Sequence, residues 1–398
     1  MQIETVKGFR DIIYPESLKR QKIKQIIEKN FKLFGFIPIE TPTIEYEEIA
    51  KGINEKDEAV SEMFKLKDRG ERELALRYEF TFQLKRLFKE NPNIKFPFRR
   101  YEIGTVFRDE PLTKDRYREF IQCDADIIGD SGIGADAECL ALADKICKET
   151  GIKYELKVNN RKLLNSILNR LEIDDKTNVL RELDKLEKIG EDEVKRNLTK
   201  FAEKMQILDL FKILNNNINY FVKEKFEGAK ELKELINLLK SYKIKARFTP
   251  FLLRGFAYYT GNIFEAYNSE IKGSLFAGGR FDNLVGEYIN RQIPAVGISF
   301  GRILDYPKIN IEPTKCILIS INQNKKTIKL MNELRNKNIS CFMMEKISKA
   351  LEYANSMLIP FVIFIGADEV KKKKLKIKNM VSGKESLVSE KYLEKYLK

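Results

Sequence analysis

Between Leu18 and Phe34 the apolar residues Ile23, Ile26, Ile27, Phe31 and Phe34 recur at helical spacing and Gly35 follows as a stop, which predicts a helix. FIPIETPTIE comes next, and its Pro38 and Pro42 suit a strand edge or the approach to one. ELALRYEFTFQLKRLFKE reads as a short strand around Leu74–Arg77 and then an amphipathic helix through Lys89. Two β-rich runs, Arg99–Phe107 and Arg118–Ile128, flank a charged, Pro-containing loop, the pattern of a hairpin with a long basic tip. A helical pattern over Ala135–Thr150 leads to a strand at Tyr154–Val158. Helical periodicity then dominates from Arg161 to about Lys240, as expected of a mostly helical insertion. Strand character returns at Ala246–Leu253, Tyr258–Tyr267 and Ser274–Gly278, with a last helix of this part expected from Gly301. The final 85 residues alternate: CILISI, a helix over Lys325–Asn336, ISCFMM, a helix over Ser348–Met357, and FVIFI. This β-α-β-α-β order predicts a small sheet with parallel pairing and its own core.

Composition agrees with a folded, multi-domain chain. It has 398 residues, 43% hydrophobic and 33% charged, long enough for two or three domains. The net charge of +14 is uneven: Thr314–Lys398 carries 18 Lys or Arg against 8 Asp or Glu, a net of +10. Such a segment, with Lys371–Lys374, Lys376 and Lys378, either attracts a polyanion or is a Lys-rich solvated surface. The sequence contains no histidine, which excludes Ser-His-Asp and Cys-His hydrolases, His-ligated metals and His general bases. Cys123, Cys139, Cys147, Cys316 and Cys341 form neither a C-x-x-C pair nor a disulfide framework, so a reducing cytoplasm is the expected location. The longest apolar run, Leu358–Ala367, is about half of the ~20 residues that a membrane span requires, and neither a secretion signal nor a transmembrane helix is expected.

The hairpin loop carries the richest candidate chemistry. Arg108, Glu110, Arg116, Arg118 and Phe120 could offer guanidinium groups to phosphate and an aromatic face to a base, as suits a nucleoside triphosphate. An exposed, salt-bridged hairpin would have the same composition. In a strand, Gln122, Asp124 and Asp126 share one face, which either lines a pocket or is solvated. Gly278-Gly279-Arg280 and GISFG at Gly297–Gly301 permit close approach before a helix start, but match neither G-x-G-x-x-G nor Walker A.

KGFRD with Pro15, GFIPIETPTIE, LALRYEFT, FRRYEIGTVFRDE, RYREFIQCDADIIG, LLRGFAYYTGNIFE, AGGRFDNL and PAVGISFG, followed by a basic α/β C-terminus, occur in an order that resembles histidyl-tRNA synthetases of the class II type. The resemblance implies an α+β protein: a catalytic domain on an antiparallel sheet, interrupted by a helical insertion that touches the tRNA acceptor arm, and a C-terminal α/β anticodon-binding domain. The boundaries expected are 1–160 and 241–313 for the two catalytic parts, 161–240 for the insertion and 314–398 for the anticodon-binding domain.

The resemblance also attaches roles to matching positions. Arg108 and Arg254 would be catalytic, holding the ATP α-phosphate from two sides, with Glu110, Arg116, Phe120 and Arg302 completing the ATP contacts. Glu79, Thr81 and Gln122 would receive the histidine α-ammonium, and Asp126, Tyr258 and Tyr259 would face its imidazole. Histidine, ATP with bound Mg2+, and tRNA(His) are the implied substrates, a homodimer the implied assembly, and no protein-bound metal is indicated. Three positions depart from the family pattern: Ala257 lacks an acid, Phe281 lacks a hydroxyl, and Leu304 stands where an arginine is usual, with Arg302 two residues earlier. These departures admit one alternative, a non-catalytic histidine sensor resembling the regulatory subunit of ATP phosphoribosyltransferase.

Overall fold

The computed structural model describes residues 3–51, 61–112, 116–253 and 258–397. The chain divides into two compact units, one formed by residues up to Asp11 together with Ile23–Pro307, the other by Ile12–Lys22 together with Lys308–Lys398.

The first unit is built on an eight-stranded sheet. In chain order the described strands of this unit are β1 (Ile37–Pro38), β2 (Ile44–Tyr46), β3 (Lys65–Lys67), β4 (Glu73–Leu76), β5 (Phe98–Phe107), β6 (Glu119–Ile128), β7 (Glu155–Asn160), β8 (Ala246–Phe248), β9 (Asn262–Asn268), β10 (Ile271–Arg280) and β11 (Ala295–Phe300). The large sheet has the order β1-β5-β6-β11-β10-β9-β7-β8, and β2-β4-β3 form a separate three-stranded sheet. The large sheet is antiparallel from β5 to β7, and only its edge strands β1 and β8 pair in parallel.

The hairpin predicted from the two β-rich runs is the β5–β6 pair, in register from Phe98↔Ile128 to Phe107↔Glu119. Alternation along β6 sends Cys123, Ala125 and Ile127 to the back of the sheet, where all three are fully buried. There Phe31, from helix Glu16–Leu33, meets Tyr101 and Phe300 at ring separations of 5.2 and 6.1 Å. The opposite face of β6 carries Gln122, Asp124 and Asp126, which are also buried. These residues therefore line an enclosed polar space and do not form a solvated face.

Helices Arg161–Arg170, Lys176–Leu183, Leu186–Ile189, Glu191–Leu198, Lys204–Leu214, Ile218–Lys223 and Ala229–Ser241 occupy the chain between β7 and β8. They share apolar stripes such as Leu232, Leu235 and Leu239, all fully buried.

Three expectations fail here. GISFG does not precede a helix; it is most of β11, paired with β6 and β10. The helix expected from Gly301 is only the 3₁₀ turn Ile303–Asp305. Pro307 explains the early stop: the residue before a proline is driven out of the helical region, and Tyr306 is extended at φ −64° and ψ 121°. The strand expected over Ala246–Leu253 is likewise cut to Ala246–Phe248, ahead of Pro250.

The second unit contains β12 (Cys316–Ser320), β13 (Cys341–Met344), β14 (Phe361–Ile365), β15 (Lys374–Asn379) and β16 (Glu385–Ser389), in the order β13-β12-β14-β15-β16. Both parallel pairs of the expected β-α-β-α-β core are present. Leu318, Ile363, Ile365, Leu375 and Ile377 pack on helix Asn324–Asn336, while Ile317, Ile319 and Val362 pack with Ala350 and Ala354 of helix Ile347–Ser356. The lysine run is not an unstructured stretch. Leu375 and Ile377 are fully buried in β15, and Lys374, Lys376 and Lys378 alternate with them on the outer face. None of the described helices is long and apolar enough to cross a membrane.

Candidate active site

Residues of β6, β9, β10 and β11 form the floor of a cleft of about 790 Å³. Glu79, Thr81, Arg108, Glu110, Arg116, Phe120, Gln122, Asp126, Tyr258, Tyr259 and Arg302 all line it. Arg254 and Ala257 lie outside the described residues.

Arg108 directly follows β5 at the mouth of the cleft. Its guanidinium sits 4.3 Å from the Tyr78 ring centroid and 5.1 Å from that of Phe120, held between two aromatic faces. Nη2 donates to Gln122 Oε1 at 3.0 Å, and Nη1 lies 3.8 Å from Glu110 Oε1. Glu110 also pairs with Arg116 at 2.8 Å. The salt bridges of an exposed hairpin are thus present, but they set a guanidinium fork at the mouth of a cavity. The N-terminal KGFRD segment braces this loop: Arg118 N donates to the Gly8 carbonyl at 2.9 Å, and Arg10 covers the Tyr117 ring at 4.0 Å. Gly8 has φ +92°, and a Cβ there would come within 2.8 Å of Arg118 and Leu112 side-chain atoms.

Arg302, at the start of the 3₁₀ turn, reaches the same cleft and pairs with Asp305 at 3.2 Å. Leu304 is buried in the core at 1% exposure. The shortened turn therefore puts the arginine, not the leucine, on the cleft side.

Deeper in, Glu79 precedes helix Leu84–Glu90, and its Oε1 accepts from the backbone N–H groups of Thr81 and Phe82 at 2.9 and 2.7 Å. Its carboxyl is pushed up to about 7 by burial, with neighbouring Asp124 adding to the rise. Asp126 is also pushed up to about 7, mainly by burial, against the opposing pull of Arg100. Gln122 joins the two ends, donating to Asp124 at 3.2 Å and to Ser299 at 3.0 Å while accepting from Arg108. Tyr258 and Tyr259 close one wall with ring centroids 4.7 Å apart, and Phe281 meets Tyr258 edge-on at 5.9 Å. Gly297 lies directly across from Asp126 in the β11–β6 register. A Cβ on Gly297 would stand 1.7 Å from Asp126 Oδ1, so the glycine makes room for the carboxylate.

Sequence reasoning passed over Arg100 and Glu102, which lie one strand away from this row. Arg100 pairs across strands with Asp126, and Glu102 with Asp124. The signal was available: Arg100 and Glu102 alternate with Tyr101 and Ile103, the same two-residue period that marks β6.

Residues 8–302 match the histidyl-tRNA synthetase family and residues 315–398 match the anticodon binding domain. Histidine--tRNA ligase 1 of Bacillus cereus is 35% identical over 426 residues, covering 100% of both chains. Histidine--tRNA ligase of Clostridium tetani is 35% identical across 96% of this chain and 95% of its own. Among solved structures, a histidyl-tRNA synthetase from Nostoc sp. superposes with a TM-score of 0.88 at 25% identity, over 100% of this chain and 99% of that one. A Bacillus halodurans protein described as an ATP phosphoribosyltransferase regulatory subunit/histidyl-tRNA synthetase shares the fold, with a TM-score of 0.77 at 22% identity over 92% of this chain and 98% of that one. Related along its whole length, and matched by the family over residues 8–302, the chain belongs to the histidyl-tRNA synthetase family.

Proposed function

We propose that the protein charges tRNA(His) with histidine at the expense of ATP, through a histidyl-adenylate. The observation that carries this reading is the polarity of the cleft: a guanidinium between two aromatic rings at its mouth, and buried carboxylates with two tyrosines in its depth. One end suits a nucleotide, the other a cationic amino acid with a ring that donates a hydrogen bond.

In the first step an oxygen of the histidine carboxylate attacks the α-phosphorus of ATP, and pyrophosphate leaves with the bonding pair. Arg108 would hold the α-phosphate from one side and Arg254 from the other, so that charge developing on its oxygens meets fixed cations. Phe120 would stack on adenine, with Glu110, Arg116 and Arg302 around the rest of the nucleotide. Magnesium enters bound to ATP, as part of that substrate, and offsets the charge of the leaving pyrophosphate. Positioning and electrostatics suffice for this chemistry, as suits a chain with no histidine. In the second step a ribose hydroxyl of the terminal adenosine attacks the carbonyl carbon of the adenylate and AMP leaves.

Glu79, Thr81 and Gln122 would receive the α-ammonium. Both backbone hydrogen bonds to Glu79 fall on Oε1, and the Thr81 side chain also bonds this carboxyl. Asp126 would accept the imidazole N–H, with Tyr258 and Tyr259 at the ring. An apolar isostere would offer Asp126 no N–H in exchange for the water it displaces, which disfavours it strongly. Residues 161–240 would touch the acceptor arm and residues 314–398 the anticodon, beside a catalytic domain formed by 1–160 and 241–313. A homodimer in the cytoplasm completes the reading.

The sensor alternative is disfavoured by the anticodon-binding match over residues 315–398 and by Arg108 at the cleft mouth. Histidine-dependent ATP–pyrophosphate exchange, followed by charging of tRNA(His), tests the proposal. Folded protein that binds histidine without supporting exchange would overturn the enzyme reading in favour of the sensor.

A further inference from the structure

Arg100 is fully enclosed, at 0% exposure, yet most of its hydrogen-bonding capacity is unused. Nη2 donates to the Phe80 carbonyl at 3.1 Å and forms an ion pair with Asp126. Nη1 lies 3.7 Å from Glu102 Oε2, too far for a hydrogen bond, and neither Nε nor Nη1 has a hydrogen-bond partner among the described residues. An arginine that served only to tie the fold together would have its buried donors satisfied, because each one left bare is costly. This side chain touches Asp126 and stands 3.7 Å from Glu102, so its charge is shared between two carboxylates.

The surrounding charges make the Asp126 carboxylate dependent on it. Glu102 faces it from β5, Asp124 from β6 and Glu79 from the turn before helix Leu84–Glu90, all acidic, while β11 contributes only Gly297 at this point. Cys139, from the helix behind the sheet, also senses Asp126. Of the other arginines nearby, Arg77 is engaged by Glu102 at 3.2 Å and by the Thr41 and Thr105 carbonyls, and Arg108 is engaged at the mouth by Gln122 and Glu110. Among the described residues Arg100 is the cation that touches Asp126.

We infer that Arg100 is a positioning residue: it keeps Asp126 aimed into the cleft as an ionised acceptor and thereby sets the pH range over which the site holds histidine. Without it, four buried acidic groups close together would leave Asp126 protonated at neutral pH, a donor where the substrate ring needs an acceptor. Glu102 acts in the opposite sense, since it draws on the same guanidinium. The inference rests on the assignment of Asp126 to the imidazole.

The test is calorimetric titration of the full chain with L-histidine from pH 6.0 to 8.5, with pyrophosphate exchange measured in parallel. For the wild type, affinity should rise with pH through about 7, where Asp126 and Glu79 both ionise. Arg100→Met should move that rise to higher pH by a unit or more, weakening histidine binding at pH 7 about tenfold while the KM for ATP stays unchanged. Arg100→Lys should restore part of the displacement. Glu102→Gln should move the rise to lower pH, and it carries the test alone if Arg100→Met does not fold. A loss of affinity equal at every pH, or profiles that stay in place in both variants, would overturn the inference and assign Arg100 to architecture. Wild type that fails exchange but shows these displacements keeps the inference and loses the enzyme reading. Absence of histidine binding would end both.

Discussion

The two units handle charge in opposite ways. In the first, the informative charges are inside: Arg280 is buried against Asp136 and bonded to the Asp130 and Gly132 carbonyls, and Arg100 and Glu102 lie buried across from Asp126 and Asp124 of the cleft. In the second, the excess lies on the surface, with lysines along the outer face of β15 over an apolar core. Buried charges are fixed by their partners and act at short range. Surface charges are screened by salt, and together they attract a polyanion over roughly a Debye length of ~8 Å at physiological ionic strength. Net charge alone hides this division, because the first unit's groups nearly cancel.

Asp136→Ala gives the harshest test. It leaves Arg280 buried without its carboxylate and removes the acceptor of Asn262 Nδ2, so chemical denaturation should register a loss of about 3–5 kcal/mol. A loss below about 1 kcal/mol, the scale of a surface pair, would end the distinction. Arg108→Ala should come next: exchange activity lower by about a hundredfold or more with the fold intact, the usual effect of removing one preorganised charge from a transition state. Unchanged exchange would remove Arg108 from the chemistry.

A smaller effect follows from titration. Asp126 is pushed up to about 7 and ionises near 4 when unfolded, so between these values the folded protein binds the extra proton. Its contribution to stability therefore declines as pH rises from about 4 to about 7 and is constant above. Asp126→Asn lacks this loss, so its melting temperature should gain on that of the wild type between pH 5 and pH 8. A gap that stays constant or narrows would contradict the buried-acid account.

In the second unit, replacing Lys374, Lys376 and Lys378 with serine should weaken tRNA binding several-fold and lower its salt dependence, leaving pyrophosphate exchange unchanged. The smallest effect belongs to the exposed Lys376–Glu385 pair, 2.8 Å apart. Its disruption by Glu385→Gln should leave the melting temperature within error.

The sequence was most legible where period and chemistry coincide. The β5–β6 hairpin, the helical stretch after β7 and the alternating C-terminal core all follow from spacing, and the polar row of β6 from a count of two. Long-range pairing was less accessible. GISFG sits between β6 and β10 because Gly278 and Gly297 let backbones approach, with a Cβ on Gly278 only 2.0 Å from the Gly297 carbonyl oxygen. Read locally, the same glycines resemble a helix approach. Arg100 was passed over because a charged residue in an apolar strand looks like an exposed position until its cross-strand partner is known.

Asn160 ends β7 and caps the helix that follows, accepting from the Lys162 and Leu163 N–H groups. Its Nδ2 donates to Asn262 on β9 and to Glu231 on helix Ala229–Ser241, which closes the helical stretch. Gly228, at φ +75°, leaves space for this amide; a Cβ there would stand 2.4 Å from its Oδ1. One side chain thus clasps the exit from the sheet and the returning helix together. The clasp fixes where the insertion leaves and rejoins the sheet, and that matters to the site, because Leu183, Asp184, Leu186 and Lys188 of the insertion line the cleft.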